Sequence, residues 1–413
     1  MPLTEVDIEG EVLDWFRSAW DPDLSLLEWR ICLLESGWAV PSWTTEWFGK
    51  GMPHWVDRVA HTAIRRAGGV TLPLGAGASL AAPTLYEHGS DDLKRRVLGA
   101  ALTGEHTWCQ LFSEPGAGSD LAGLKATATL DGDTWVVNGQ KVWNTSAHHA
   151  DLAILVARTD WEVVKHQGIT YFVLDMRQAG VEVRPIEQMN HRSSFNEVFM
   201  TDAEIPTANV VGEIGGGWVV ARATLAHERR YAGERAVSLR AEARGRVIDE
   251  FRLEYAEYNK TYEWYPQRMG RPDLLVERAR AGGVIDDPVL RDDMMRLWAF
   301  EKAAAWTAER ARANQALGRP PGSEGSIGKL ATSEVARRCN ELHGRIASAA
   351  AMLDRSDDPV HEIVAEILVS TPAQSIAGGT DEIQHNIIGE SILGLPKEPA
   401  ADRGMPFREV GRL

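Results

Sequence analysis

The spacing of apolar residues changes twice along this 413-residue chain, and this change constrains the fold more than any other feature. In the first part, apolar residues recur at helical spacing, as in Ile8, Val12 and Phe16, which follow the N-cap candidate Thr4. A second apolar stripe covers residues 26–34. The first quarter of the chain is therefore predicted to be helical.

Short strands replace the helices from about Thr107. Residues 127–130 and 135–137 flank a turn at Asp131-Gly132-Asp133, a pattern typical of a β-hairpin. Further strands are predicted at 153–157, 170–174, 181–184 and 196–200.

Helical spacing returns at Trp218, after Gly215-Gly216-Gly217, which we interpret as a flexible junction. An aromatic-rich stretch at 255–266 is expected to interrupt this last helical part. The prediction is an α+β protein with three domains: an N-terminal helical domain (1–107), a central β-barrel-like domain (108–218) and a C-terminal helical bundle (219–413).

Charge and cysteine usage exclude several classes of protein. The chain carries a formal net charge of −15, which opposes general attraction to nucleic acid or to an anionic membrane surface. Cys32, Cys109 and Cys339 form no CxxC pair, and no His, Cys or carboxylate spacing resembles a metal site. The start of the chain is acidic, and no run approaches the about 18 apolar residues of a spanning helix. We expect a cytoplasmic protein without membrane insertion, bound metal or nucleic-acid partner.

The sharpest local motif is Glu114-Pro-Gly-Ala-Gly-Ser-Asp120. Its small residues let a backbone approach a cofactor or phosphate closely. The motif lacks the GxGxxG spacing of a dinucleotide fold, and alone it favours a tight glycine turn after a strand at 108–112.

A longer series of motifs supplies the context for this turn. In order they are Tyr86-Glu-His-Gly, Cys109-Gln-Leu-Phe-Ser-Glu-Pro-Gly, Asn138-Gly-Gln-Lys-Val-Trp-Asn-Thr, Leu225-Ala-His-Glu-Arg and Gly379-Thr-Asp-Glu-Ile-Gln. Together they resemble the acyl-CoA dehydrogenase family over roughly residues 35 to 400. The resemblance implies the same three-domain architecture, FAD as cofactor, an acyl-CoA substrate, an electron-transfer flavoprotein as electron acceptor, and a homo-oligomer (dimer or tetramer).

The resemblance also implies roles for individual residues. The positions that match the family's FAD-binding segments are Gln110, Phe112, Ser113, Gly118, Ser119, Trp143, Thr145 and Thr380. Ser119 is also expected near the substrate. In relatives the tryptophan covers the flavin ring and the threonine hydroxyl approaches the ring nitrogen.

The catalytic base is expected at Glu228. Many relatives place a glutamate immediately before the C-terminal Gly-Thr, where this chain has Gly378. Other relatives carry the base in a Leu-x-x-Glu-Arg pattern, which Leu225 to Arg229 matches, and Arg229 is expected to support the substrate. The alternative is a solvated helical carboxylate like Glu234.

Two other functions stay open. Gly378 replaces the glutamate of many relatives. The chain also lacks the Arg-x-x-Phe-Gly element by which a neighbouring subunit often holds the cofactor in this family. Both departures fit a non-catalytic partner subunit of a hetero-oligomeric dehydrogenase. A flavin oxidase or monooxygenase on the same fold is the third alternative, since a fold does not fix its chemistry. The acyl group is not determined by the sequence.

Overall fold

The computed structural model describes residues 4–231, 242–316, 322–352, 359–397, 399, 402 and 404–410. The chain divides into two compact units. The first comprises Met1–Ile186, Ser193–Thr261 and Asp402–Leu413, and the second comprises Glu187–Arg192 and Tyr262–Ala401. The boundaries of the three sequence-based domains stay a prediction.

The first unit begins with helices, as expected. Thr4 caps the first helix: its hydroxyl accepts from the Asp7 backbone N–H, and the Asp7 carboxylate accepts from the Thr4 backbone N–H. Ile8, Val12 and Phe16 are buried on one face of this helix. The helices are α1 (Glu5–Ala19), α2 (Leu26–Glu35), α3 (Trp55–Ala67), α4 (Ala82–His88) and α5 (Asp91–Thr103), with a π-helical turn at Gly77–Ala81 before α4.

A mixed eight-stranded sheet follows. Its strands are β1 (Trp108–Leu111), β2 (Thr127–Asp131), β3 (Thr134–Thr145), β4 (Leu152–Arg158), β5 (Ile169–Asp175), β6 (Val181–Ile186), β7 (Phe195–Pro206) and β8 (Val210–Val211). Their order is β6-β7-β3-β2-β4-β5-β8, and β1 pairs in parallel with β4. The predicted hairpin is confirmed, because β2 and β3 pair from Asp131 and Thr134 outward. The four further strand predictions are confirmed by β4, β5, β6 and β7.

The glycine run before the next helix was interpreted wrongly. Helix α6 (Gly217–Tyr231) begins directly against β5, where a side chain on Gly217 would lie 2.6 Å from the Thr170 carbonyl carbon. The Gly215 backbone N–H donates to the Thr170 hydroxyl at 2.9 Å. The glycines therefore permit a close packing of α6 on the sheet, and the junction is held in place.

The last helix of the first unit before residue 262 is α7 (Arg246–Lys260). It contains Tyr255 and Tyr258, so the helix continues past the start of the predicted interruption at 255–266, and the chain leaves the helix at Thr261, inside that stretch. The buried Arg30 of α2 donates two hydrogen bonds to Glu254 of α7, at 2.6 and 2.8 Å. This pair ties α7 to the N-terminal helices.

The second unit is helical throughout its described regular structure. It contains α8 (Tyr265–Arg268), α9 (Leu275–Ala281), α10 (Pro288–Ala316), α11 (Glu324–Ala347), α12 (Pro359–Ser370), α13 (Pro372–Ile376), α14 (Asp381–Asn386) and a π-helical turn at Ile387–Ile392. Its core is formed by Leu275, Ala279, Leu290, Leu297, Cys339, Leu342 and Ile346. A last short helix, α15 (Phe407–Val410), belongs to the first unit.

Candidate active site

The segment after β1 leads from the sheet interior to the surface. Phe112 is buried and lies edge to face with Tyr171 of β5, with ring centroids 5.8 Å apart. The half-buried Ser113 accepts a hydrogen bond on its carbonyl from the Val142 N–H at 2.9 Å. Ser113 is therefore fixed against β3 at Val142, the residue directly before Trp143.

The glycine motif forms a tight turn that is open on one side. Glu114 and Ala117 exchange two backbone hydrogen bonds, of 3.0 and 3.1 Å. A side chain on Gly116 or Gly118 would meet no atom within 4 Å, and neither glycine has a positive φ. Gly118 and Ser119 are exposed. The chain's own packing therefore does not require glycine here, which fits a surface that a ligand approaches closely.

Trp143 has a strained and exposed conformation. Its φ of 63° lies in the left-handed region, which is costly for a bulky residue. The pairing of β3 with β7 shifts register between Lys141 and Asn144, so Trp143 lies at a bulge. Its side chain is 59% exposed, and its ring meets the Phe195 ring edge to face with centroids 6.0 Å apart. The bulge turns a large aromatic face away from the protein, as bulges beside active sites do.

The residues after Trp143 connect it to β1. The Asn144 side-chain N–H donates to the Gln110 carbonyl at 2.8 Å, and Thr145 pairs with Phe195. Asn144 is buried, yet its Oδ1 has no hydrogen-bond partner among the described residues. An unsatisfied buried acceptor of this kind favours a polar ligand nearby. Sequence reasoning missed Asn144, although it lies inside the Trp-x-Thr motif.

Glu228 lies on helix α6, which packs against β5 and α4 through Thr224. Thr224 is fully buried and hydrogen-bonds to Tyr171 of β5 at 2.9 Å and to Thr84 of α4 at 3.0 Å. Glu228 follows Thr224 by four residues, so it lies on the same face of α6, one turn further along. Glu228 is partly buried. The side chain of Arg229 and all of Glu234 lie outside the described residues.

Comparison with known proteins decides the family. The chain matches the family models for the N-terminal domain (residues 10–105), the middle domain (109–203) and the C-terminal domain (273–393) of acyl-CoA dehydrogenases. The chain belongs to the acyl-CoA dehydrogenase family. It is thus an oxidoreductase acting on acyl-CoA.

Individual relatives agree with this assignment. The chain is 34% identical to acyl-CoA dehydrogenase IpdE1 of Mycobacterium tuberculosis, over 90% of this chain and 88% of the relative. It is also similar to a chain of the ChsE4-ChsE5 complex from Mycobacterium tuberculosis, at 26% identity, with a TM-score of 0.63 and coverage of 96% and 100% of the two chains. A structure of PigA with FAD and proline shares the fold at 19% identity, with a TM-score of 0.60 and coverage of 96% and 99%.

Two positions of this acyl-CoA dehydrogenase family member that the sequence analysis singled out, Gly378 and Thr380, lie in the second unit. Thr380 is the N-cap of α14, where its hydroxyl accepts from the Ile383 N–H at 3.3 Å. Gly378 has a φ of +71°, and a Cβ added there would meet no atom within 4 Å. The backbone conformation is therefore the first obstacle to a glutamate at this position.

The described part of the chain has neither a cluster of metal-binding side chains nor a membrane-spanning helix. In those residues, no group of three or more His, Cys, Asp or Glu side chains is placed to hold a metal ion. No helix within the same ranges is long and apolar enough to cross a membrane. His148, which follows Thr145 by three residues, has a structural hydrogen bond: its Nδ1 accepts from the Asn196 side-chain N–H at 3.2 Å.

Proposed function

We propose that this protein is an FAD-dependent acyl-CoA dehydrogenase that forms the α,β double bond of an acyl-CoA thioester and passes the electrons to an electron-transfer flavoprotein. The observation that carries the proposal is Trp143. A bulky aromatic residue held at positive φ and 59% exposed is costly for the free protein. The strain has a use if a flat aromatic ring covers the indole.

The residues present fit a bound flavin. The open backbone at Gly118 and Ser119, the exposed indole of Trp143 and the orphaned Asn144 Oδ1 favour a large ligand with aromatic and polar parts. In the first unit, FAD would be held by Gln110, Phe112, Ser113, Gly118, Ser119, Trp143 and Thr145. Thr380, in the second unit, is proposed as an FAD-binding residue from the family resemblance alone. When bound, FAD supplies an acceptor for the hydride that leaves the substrate β carbon.

Glu228 is proposed as the base that removes the α proton. Glu228 is partly buried in this chain, and we propose that the bound acyl-CoA would shield its carboxylate further from water, where a carboxylate is a stronger base. Thr224 anchors the preceding turn of α6 to β5 and α4, so Glu228 projects from a rigid element. The α proton moves to the Glu228 carboxylate as the Cα–Cβ double bond forms. Arg229 and Ser119 are proposed to hold the substrate.

The direct test is anaerobic bleaching of the flavin by a panel of straight, branched and steroid-derived acyl-CoAs. We expect the purified protein to be yellow with bound FAD, and at least one acyl-CoA to bleach it with formation of the enoyl-CoA. Rapid reoxidation of the reduced flavin by dissolved oxygen would favour the oxidase alternative. A protein that contains FMN alone would contradict the proposal.

A non-catalytic partner subunit is the second candidate, and Gly378 is the observation that favours it. A glycine at positive φ occupies the position where many relatives carry the base. The similar ChsE4-ChsE5 structure is a complex of two proteins. Expression of this chain alone separates the two candidates: a colourless protein that takes up no added FAD supports the partner subunit.

We also infer that the protein forms an oligomer. Ile383, Ile387, Ile388 and Ile392 recur at helical spacing, and none of them is buried within this chain. Ile387 and Ile392 are 39% and 48% exposed. Apolar side chains left uncovered at this spacing favour a subunit interface, homo-oligomeric or shared with a different chain. A monomer by light scattering at micromolar concentration would contradict this inference.

A further inference from the structure

A buried ion pair lies directly beneath the glycine turn. Lys141 of β3 is fully buried, and its Nζ lies 2.8 Å from Glu114 Oε1. The same ammonium donates to the Phe112 carbonyl at 3.0 Å. Lys141 therefore holds the two residues on either side of Ser113, and it lies two residues before Trp143 on the same strand.

The Glu114 carboxylate also holds the far end of the loop. Its Oε1 accepts from the Ala126 N–H at 2.9 Å, and its Oε2 accepts from the Lys125 N–H at 2.6 Å. Residues 114 and 126 are thus fastened to each other, and the segment between them, which we name the 114–126 loop, contains Gly118 and Ser119. The carboxylate closes this loop at its base.

Arg158 supports the same loop from β4. Its guanidinium is buried and donates to the Ala122 carbonyl at 2.6 Å and the Leu124 carbonyl at 3.1 Å. Both ends of the 114–126 loop are therefore fixed by charged groups, whereas Gly116, Gly118 and Ser119 in its turn are exposed. This arrangement holds an exposed turn on a rigid base.

Stability alone does not account for a buried ion pair. Desolvation offsets most of the attraction, and apolar residues of similar volume are often as stable. Burial lowers the pKa of Lys141, and the neighbouring Glu114 charge opposes that effect. What an apolar pair cannot supply is the set of directed hydrogen bonds from one cluster to residues 112, 125 and 126.

We propose that Lys141 and Glu114 are positioning residues that hold the 114–126 loop, Ser113 and the start of the Trp143 bulge in the geometry that binds FAD. This inference rests on the proposed function, since it assigns the pair to the flavin site. Neither side chain needs to touch the flavin. Their effect is transmitted through Ser113 and the backbone of the loop.

The test compares Lys141→Met, Glu114→Gln and the double variant. Each single variant leaves one buried charge without its partner and is expected to lose stability, whereas the double variant removes both charges and keeps the volume. The control is Ile205→Ala, a fully buried β7 residue that has no part in the 114–126 loop. FAD affinity of the apo-protein, the visible circular dichroism of the bound flavin, and thermal unfolding of the apo-protein are measured for all four.

We expect the double variant to fold and to bind FAD at least about 10-fold more weakly, by analogy with outer-shell partners of metal ligands. Its visible circular dichroism should change. Ile205→Ala should lower the unfolding temperature without changing either flavin signal. This contrast separates positioning from general stability, because the control is destabilised and the double variant is altered at the flavin.

Two results would overturn the inference. One is a folded double variant whose FAD affinity stays within about twofold of wild type, with an unchanged flavin spectrum. The other is a double variant that does not fold, since the pair would then serve folding. A wild-type protein that binds no FAD contradicts the proposed function itself, so the two failures are distinguishable.

Discussion

The Tyr171 hydroxyl lies 2.9 Å from the Thr224 hydroxyl, and Thr224 lies 3.0 Å from the hydroxyl of Thr84. All three residues are fully buried, and they belong to a strand and two helices that are distant in sequence. Burial raises the pKa of Tyr171 strongly, so the phenol stays protonated and hydrogen-bonded at any ordinary pH. This polar cluster fixes α6 against β5 and α4, one turn before Glu228.

Loss of the central hydroxyl should destabilise the first unit. Thr224→Val keeps the shape of the side chain but leaves the Tyr171 hydroxyl without that partner, which costs about 1–3 kcal/mol of unfolding free energy. Chemical denaturation measures the loss. Thr129→Val is the control, because Thr129 is exposed on β2 and its replacement should stay within about 0.5 kcal/mol. Equal effects of the two variants would count against the cluster.

Replacing Trp143 with glycine should raise the stability of the apo-protein and lower its affinity for FAD. Trp143→Gly relieves the left-handed backbone, so the apo-protein should gain roughly 1 kcal/mol. The same change removes the exposed indole, so FAD should bind more weakly by an aromatic contact of order 1 kcal/mol. Trp143→Ala is the matched control: it should lose FAD affinity equally without the gain in stability. Unchanged affinity in both variants would contradict the placement of the flavin.

The helices and strands could largely be predicted from the sequence, because their signals are local. Thr4 and Asp7 are three residues apart, and the β2–β3 hairpin is specified by its own turn. The glycine run was misread for the opposite reason. Whether Gly217 is flexible or packed depends on the Thr170 backbone, which lies far away in sequence.

The candidate site was only partly predictable. Family resemblance named Ser113 and Trp143 as flavin-binding candidates, and that role stays a prediction. The left-handed conformation of Trp143 was not foreseen, because it arises at the β3–β7 bulge, and a bulge depends on strand register. Lys141 gave no signal, because a lysine on a strand ordinarily faces water. Its partner Glu114 is 27 residues away, so the pair becomes visible only when β1 and β3 are placed together.

A methyl group on Gly118 should have opposite effects on the stability of the apo-protein and on its affinity for FAD. Gly118→Ala meets open space at an ordinary φ, so the apo-protein should gain about 0.4–1 kcal/mol through the unfolded chain. If FAD or CoA lies against the turn, the methyl group should weaken its binding by about 1–3 kcal/mol. Gly10→Ala on α1 also meets open space and should leave FAD affinity unchanged. Equal FAD affinity in both variants would rule out a close approach at Gly118.

His343 should make the stability of the second unit depend on pH. Burial lowers its pKa to about 4, while its Nε2 donates to the Gly270 carbonyl at 3.1 Å. The unfolded chain takes up this proton near pH ~6.5, so unfolding becomes easier as the pH falls from there toward 4. The loss from this one group should reach about 3 kcal/mol and change little below pH ~4.

The readout is the difference between variants, because carboxylates also titrate near this range. His343→Gln should have a shallower fall in unfolding free energy between about pH 6.5 and 4 than wild type. His385→Gln is the control, since His385 is exposed on α14. If all three proteins lose stability in parallel, His343 is not the responsible group.

The base assignment is tested by Glu228→Gln. The amide keeps the size of the side chain but does not take up the α proton, so the variant should retain FAD and bleach about 10²–10⁴-fold more slowly with a proven acyl-CoA. Stopped-flow absorbance under anaerobic conditions measures this rate. Glu213→Gln, an exposed change just before α6, should bleach at the wild-type rate.

A glutamate introduced at position 378 tests whether a second position can supply the base that Glu228→Gln removes. Gly378→Glu in the Glu228→Gln background has room for the new Cβ, although its φ of +71° costs a non-glycine residue about 1–2 kcal/mol. We expect a small recovery of bleaching, because relatives place their base at this position. Glu228→Gln bleaching at the wild-type rate would show that another carboxylate, on this chain or on a partner chain, removes the proton. If Glu228→Gln is slow and the added Gly378→Glu gives no recovery, the assignment of Glu228 as the base stands. The new carboxylate is then misdirected by the strained backbone at position 378.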